Sequence, residues 1–518
     1  MYSLSLSPLL ILFFIALILS GLSGLIMLSN HVPLGFVRVH IGINALPPLV
    51  AILAFFRASG KEIVGPWHLD SLAWFLACFI LSVGLIIQRF SVHYLLGDRS
   101  YRKYFTLYTI ITGAASMTWL SDDLRLFIVC WGITLFMLTL LIGLNRGWKV
   151  RNVAGALSGC LFGVSWLSLL LIIVWLSHVT GTWKLSEVLT NRNLAQLGSM
   201  EKTVLNLLLI LAVMIPAAQW PFQRWLIESV AAPTPVSAIM HAGLVNAGGI
   251  ILTRFSPLFD GGVAQIVLLI LSTISVLIGT GISMVQVDYK RQLVGSTIAQ
   301  MGFMLVQCAL GAYLAAIIHL VLHGLFKATL FLQSGSAVHP YEGFGSVNKK
   351  PSYLSTMFGW VLGLLAGIAY WVMASGNGYG LVNALILGWS LSFSWTQLVA
   401  FGKGRIERLA GVALLGGSAL VYFMIHHLFY KWLHSTVVDQ SVQLPLSVVI
   451  FVGCLLILGS LISVLARRFP SSIAFAILYL WLVKLGEGQS KAMEVHPNYL
   501  KHYLLREVIT HERNVNIT

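Results

Sequence analysis

WPFQRWLIESVAAPTPVSAIMHAG, residues 220–243, is an apolar stretch interrupted by Pro221, Pro233 and Pro235 and carrying Arg224, Glu228 and His241. Proline removes a backbone donor and its ring clashes with the preceding turn, so these residues cannot form one unbroken helix. Apolar sequence continues on both sides and Pro216 adds a further break. Residues 203–257 therefore read as two half-buried pieces with an irregular joint. Non-helical backbone at membrane depth survives only where protein buries it or where it lines a wet cavity, because lipid offers its amides no partner. The stretch predicts an integral membrane protein with a discontinuous helix at its centre.

The flanking sequence agrees. Crossing the hydrocarbon takes about 20 mostly apolar residues. Such stretches lie near 7–29, 35–57, 70–89, 103–120, 124–145 and 153–178 before the broken region, and near 263–286, 293–310, 312–334, 353–374, 380–402, 408–430 and 446–466 after it, with a short one at 471–484. Of the 518 residues, 58% are hydrophobic and 9% charged, against about 45–50% and about 25% in soluble domains. That excludes a soluble fold. The reading is an all-α polytopic integral membrane protein of about fourteen to sixteen transmembrane segments. It divides into N-terminal helices (1–100), a core with the broken helix (101–345), C-terminal helices (346–485) and a polar tail (486–518). The first basic residue is Arg38, so the opening apolar stretch lacks the basic flank of a cleaved signal and is expected to remain as a span. SGNGYG, 375–380, reads as a tight loop between spans.

The formal charge of +15 comes from Lys and Arg scattered over short loops, with no continuous basic stripe for nucleic acid. Counted on alternate sides from an outward N-terminus, the basic residues fall seventeen against eight, which places the richer side in the cytoplasm. The five cysteines lie in apolar stretches without a CxxC or a nearby histidine, so no disulfide, zinc or iron–sulfur site is expected in this chain.

Ionisable groups inside hydrocarbon are costly, and each is a candidate for function. IIHLVLHGLFKATLF, 317–331, is the sharpest case. His319, His323 and Lys327 fall at i, i+4 and i+8, on one face of one helix. All three exchange protons, which suits a proton or hydrated-ion relay. Polar contacts between packed helices are the plain alternative, and two histidines with no local carboxylate or thiolate make a metal site a weak one. VDYKRQLVGSTIAQMGFM, 287–304, opens with Asp288, Lys290 and Arg291 and continues with Ser296, Thr297 and Gln300. It reads either as a helix start with snorkelling basic residues or as the mouth of a wet path. In the broken region, His241 is either buried glue or part of such a path, and Arg224 and Glu228 are a possible charge pair at i, i+4. Asp122 and Asp123 read as helix N-cap residues at a membrane face.

These three motifs together resemble the antiporter-like membrane subunits shared by respiratory complex I and multisubunit cation/proton antiporters, over roughly residues 100–340. The resemblance implies about fourteen helices, two inverted repeats each with a discontinuous helix, and a line of protonatable residues at mid-membrane. By motif, Lys290, His319, His323 and Lys327 fall on the family's central relay positions, and His241 on the histidine that follows its PTPVSA turn. The sequence also departs from the pattern. Trp131 is followed by Gly132 where the family has an acidic residue, Pro216 stands in place of the lysine expected a few residues before Pro221, and 353–402 contains no Asp, Glu, Lys, Arg or His. A full redox-driven pump loses its switch.

The shortened relay and the length resemble the membrane subunit of two-protein DAB inorganic-carbon accumulation complexes. That implies a DabA-like partner similar to a β-carbonic anhydrase, which carries zinc and performs any CO2 hydration. This chain would then be a transport subunit without its own cofactor, in the cell inner membrane, conducting a cation such as H⁺. A Na⁺/H⁺ antiporter or complex I-type pump subunit, and a purely structural membrane anchor, are the competing expectations. The charged tail, including Lys491, Glu494 and Arg506, reads as solvated or as a docking segment.

Overall fold

The computed structural model describes residues 7–58, 62–144, 149–259, 262–334, 353–373, 378–395, 405–437, 450–461 apart from 452, 456 and 460, and 472–488. The polar tail, most of the 446–466 stretch and residues 375–377 of the SGNGYG loop lie outside the described residues; Gly378 to Gly380 already belong to a helix.

Helix α1 is Ser7–Ile26. The expected second span is two helices, α2 (Phe36–Asn44) and α3 (Leu46–Arg57), meeting at Ala45, where Pro47 and Pro48 begin the second. A hairpin of β1 (Glu62–Val64) and β2 (Trp67–Leu69) leads into α4 (Ser71–Tyr94), α5 (Tyr101–Leu120), α6 (Leu124–Ile142) and α7 (Lys149–Thr180). Aspartates set two of these starts: Asp70 accepts from the Ala73 amide and Asp123 from the Arg125 amide, satisfying donors that a helix start leaves free. The polar connection carries the short helices α8 (Leu185–Val188) and α9 (Asn191–Leu194).

The broken region forms two crossings, as its prolines require. α10 (Ser199–Met214) ends in an irregular turn containing Pro216 and the cis Trp220–Pro221 bond, and the short α11 (Arg224–Glu228) follows. Pro233 and Pro235 do not break a helix. They begin α12 (Thr234–Ala242), where a missing amide donor costs nothing. A second discontinuity, which the prolines did not signal, separates α12 from α13 (Ala247–Arg254): the chain passes through Gly243 and a single 3-10 turn at Leu244–Asn246.

Next come α14 (Gly262–Val285), α15 (Tyr289–Ala309) and α16 (Tyr313–Gln333). α14 and α15 touch backbone to backbone. A Cβ on Gly279 would lie 2.5 Å from the Ala299 amide nitrogen, and one on Gly295 2.6 Å from that of Ser283. Small residues bring membrane helices this close because lipid supplies no hydrophobic drive and the contact itself must hold the pair. Beyond them lie α17 (Tyr353–Met373), α18 (Gly378–Trp395), α19 (Arg405–Leu433) and α20 (Ile473–Gly486). The end of α19 packs Phe429 on Phe75 of α4 and Trp432 on Phe55 of α3.

Among the described residues, nine helical stretches are long and apolar enough to cross a membrane, two of them the pairs α2–α3 and α12–α13. Their outward rows of leucine, isoleucine and phenylalanine, such as Ile11, Ile18, Leu53 and Phe423, are exposed, as expected where lipid is the solvent. Several described members of the two sets of basic residues separated by the charge count sit at opposite ends of the bundle. At one end Arg102 donates to the carbonyls of Ser29 and Val32, Arg151 to Ala231 and Lys290 to Ala232. At the other, Arg254 meets Asp70 and Lys184 pairs with Glu187.

Candidate functional site

α16 carries His319, His323 and Lys327 toward the middle of the bundle, over a length of about 12 Å at 1.5 Å per residue. Lys327 is 1% exposed, and its Nζ donates to the Leu293 carbonyl of α15 at 2.9 Å. That carbonyl also accepts from the Thr297 hydroxyl at 2.9 Å. Placing an ammonium here without a carboxylate costs solvation, and a carbonyl oxygen only partly replaces the lost water. Lys327 is therefore not held in a carboxylate ion pair among the described residues.

His323 is buried one turn away, and its Nε2 has no partner among the described residues. His319 is half-buried; its ring centroid lies 6.1 Å from that of His323, and its Nδ1 is 3.2 Å from Gln307 Oε1. His241, near the end of α12, stacks on Phe331 at 4.2 Å between centroids and leaves Nδ1 without a partner among the described residues. Lys327, His323 and His241 lie within electrostatic range of one another. The fold thus joins two motifs about 80 residues apart, because α12 and α16 pack side by side.

Lys290 stands one helical turn before Leu293, whose carbonyl holds Lys327. It sits half-buried at the start of α15, where Nζ reaches the Ala232 carbonyl at 3.3 Å, just before Pro233. Asp288 caps that helix through the Arg291 amide. Of the polar run behind them, Thr297 faces inward, Ser296 is half-buried and Gln300 faces outward. Arg224 and Glu228 approach at 3.7 Å, but Arg224 is half-exposed while Glu228 is buried, so they lie at the rim rather than in the string. Pro221, Pro233 and Pro235 frame the two ends of the 215–233 joint.

The acidic position after Trp131 has a structural replacement. A Cβ on Gly132 would lie 2.7 Å from Trp166 Nε1, and that indole N–H donates to the Ile128 carbonyl at 2.9 Å. The Trp166 ring fills the place a side chain would take.

Two polar clusters escaped the sequence reading. His40 is fully buried, held by Ser23 at 2.7 Å, Asn44 at 2.9 Å and Thr109 at 3.1 Å, with Gln88 accepting from Asn44 at 3.0 Å. The His40–Asn44 spacing of i, i+4 in an apolar span was the available signal. At the opposite end of the bundle, Arg254 grips Asp70 through two bonds of 2.6 and 2.9 Å. Nε2 of His68 lies 3.7 Å from Asp70 and Nδ1 3.9 Å from Asp122. Asp122 is not the cap expected of it; it is fully buried and accepts from the Ser186 amide and hydroxyl at 3.0 and 2.9 Å, while Asp123 alone caps α6. Burial by itself raises the Asp70 carboxyl, but the Arg254 charge and hydrogen bonds, with His68 and the Ala73 amide, hold it below the usual carboxylate range. Partners separated by 184 residues leave no local signal.

Comparison with known proteins gives the same picture. Residues 121–407 match the family described as NADH:quinone oxidoreductase/Mrp antiporter, TM. The chain is 65% identical over 502 residues to a Bacillus subtilis protein named "Probable inorganic carbon transporter subunit DabB", covering 97% of this chain and 99% of that one. A Bacillus anthracis protein of the same name is 64% identical, over 96% and 98%. NADH-quinone oxidoreductase subunit L of Buchnera aphidicola is 32% identical over 52% of this chain and 44% of its own. Among solved structures, a chain of the Mrp complex from Dietzia sp. superposes with a TM-score of 0.65 at 21% identity, over 97% of this chain and 60% of that one. The multi-pass fold, the buried string on α16 and these matches lead to one conclusion: the chain belongs to the NADH:quinone oxidoreductase/Mrp antiporter membrane family, on the branch that contains the DabB subunits.

Proposed function

We propose that this chain is the cation-conducting membrane subunit of an inorganic-carbon uptake complex in the cell inner membrane, and that the cation is H⁺. One observation carries the conducting role: a buried lysine without a carboxylate, Lys327, faces two buried histidines that each leave a ring nitrogen without a partner among the described residues. Groups arranged this way can pass a proton from His319 through His323 to Lys327 without an ion being stripped of all its water. The inorganic-carbon role is supported by end-to-end similarity to proteins named for it.

The chain itself performs no CO2 chemistry in this reading. A DabA-like, carbonic-anhydrase-like partner carries the zinc, and proton flow down its gradient through this chain drives one-way hydration of CO2 to bicarbonate there. Lys290 at the bundle rim, beside the Ala232 carbonyl, marks the cytoplasmic mouth.

The test uses the complex. A tagged chain is expected to bring down a soluble zinc subunit and to restore growth at ambient CO2 in a strain lacking it. Lys327→Ala and His323→Ala are expected to abolish that growth while the zinc subunit still copurifies. Undiminished growth with both variants refutes conduction through this string. Growth that depends on external Na⁺ rather than on CO2 points instead to Na⁺/H⁺ exchange.

A further inference from the structure

At the end of the bundle opposite Lys290, segments distant in sequence meet on Asp122. Its amide donates to the Pro66 carbonyl of the β1–β2 hairpin at 2.8 Å, and its own carbonyl accepts from the Leu185 amide at 2.7 Å. Its carboxylate takes the Ser186 amide and hydroxyl, so the 182–188 connection is pinned there as well. His68, on β2, is the side chain that the hairpin sends to this point. Its ring lies between two buried carboxylates, 3.7 Å from Asp70 and 3.9 Å from Asp122, and its side chain is 11% exposed.

The charges around the ring do not balance while it is neutral. Asp70 is answered by Arg254, which donates to both its oxygens. Asp122 acts only as an acceptor here, as an ionised carboxylate does, and no lysine or arginine pairs with it among the described residues. The other cations at this end are engaged elsewhere, Arg125 with Asp123 at 2.7 Å and Lys184 with Glu187 at 2.9 Å. Glu62, on β1, pairs in register with Leu69, so it points to the face of the hairpin away from His68. Two carboxylates and one guanidinium leave one negative charge in a buried site, and such a charge is costly unless paired. One proton on His68 removes it. Each ring nitrogen then has a carboxylate to donate to, and both gaps exceed a hydrogen bond by less than about 1 Å. Burial opposes a charged ring, whereas an opposite charge within about 4–6 Å favours it, and here the carboxylates outnumber the cation. A metal ion fits less well: Asp70 has both oxygens on Arg254, and one histidine with one carboxylate is too small a ligand set.

We infer that His68 is a proton-binding site between Asp70 and Asp122, and that the bound proton fastens the 182–188 connection to the α5–α6 turn. The charge count of the sequence assigns this end to the outside, so the proton comes from the medium. The site is separate from the string on α16, and the inference rests neither on conduction nor on the inorganic-carbon reading. Arg254 closes α13, so the site adjoins the helix that follows the Gly243–Asn246 joint.

Hydrogen exchange of the purified full-length chain tests this. It is read by mass spectrometry on the peptide that contains Ser186 and divided by the intrinsic exchange rate at each pH. The protonated ring is the form that holds the connection. Protection is therefore expected to be greatest near about pH 6 and to fall toward about pH 9, by up to about tenfold per pH unit, the limit for one linked proton. His68→Gln, which cannot take up the proton, is expected to show no such fall. Asp122→Asn keeps an acceptor for the Ser186 amide but not the charge, and is expected to flatten the profile too; it decides the matter if His68→Gln does not fold. His178→Gln, which changes an exposed histidine on α7, is expected to keep the parent's slope. A flat parent profile, a fall that persists in a folded His68→Gln or Asp122→Asn, or a slope that His178→Gln removes, overturns the proposal.

Discussion

Replacing Arg254 with Met tests the logic of the buried ion pair most directly. The guanidinium donates twice to Asp70, at 2.6 and 2.9 Å, and once to the Trp119 carbonyl at 3.2 Å. The side chains are 8% and 1% exposed. Removing one partner from such a pair leaves an uncompensated buried charge, a loss of about 3–5 kcal/mol. Asp70→Asn is expected to cost less, because asparagine still caps α4 by accepting from Ala73. The double variant should lose less than the two singles combined, by about 0.5–3 kcal/mol, since nothing charged remains stranded. The pH dependence has a definite sign. In the parent, Asp70 titrates below its ordinary range, so its contribution is present above about pH 4 and is lost as pH falls through the depressed value. Without Arg254, burial dominates and raises the carboxyl above its unfolded value. Protonation then stabilises the variant, and the gap to the parent narrows as the pH is lowered from 7. Equilibrium unfolding in mixed detergent micelles, measured for the four proteins at several pH values, reads all of this. A cost below about 1 kcal/mol for Arg254→Met, or strictly additive losses, refutes the reasoning.

Three further outcomes follow from the packing and the loops. Gly132→Glu, which restores the acidic position, drives a side chain into the Trp166 indole and should cost about 1–3 kcal/mol from overpacking alone; thermal melting of the purified protein checks it, and no loss would mean that the indole moves freely. Gly279→Val places a branched side chain against the Ala299 backbone and is expected to abolish folded yield, as judged by a monodisperse gel-filtration peak, whereas Gly416→Ala, with open space around it, leaves that peak unchanged. Asp122→Ala strands the Ser186 amide, costing about 1–3 kcal/mol, and should speed limited proteolysis between 182 and 199; an unchanged digestion rate would show that the polar connection carrying α8 and α9 is held elsewhere.

Much of the architecture follows from composition and punctuation. Apolar stretches of span length specify helices because lipid leaves no other solution for the backbone. Pro216 and Pro221 fix one break in the same way, since proline's effect is local. The i, i+4, i+8 spacing of His319, His323 and Lys327 puts them on one face wherever that helix lies. The second break, at Gly243–Asn246, escaped because glycine permits an irregular turn without requiring one, and helix packing decided whether it formed.

What the sequence by itself determined is therefore the class of fold, the place of the first break, and which side chains can carry protons. Tertiary structure decided which of them meet. It brought His241 to the α16 string and set the Lys290 ammonium 3.3 Å from the Ala232 carbonyl. It turned Asp70 and Arg254 from separate loop charges into one buried pair, and it filled the place beside Gly132 with the indole of Trp166. The physical reason is the range of the forces involved. Periodicity and proline act within a few residues, whereas pairing and cavity formation depend on which helices pack together, and no local pattern encodes that choice.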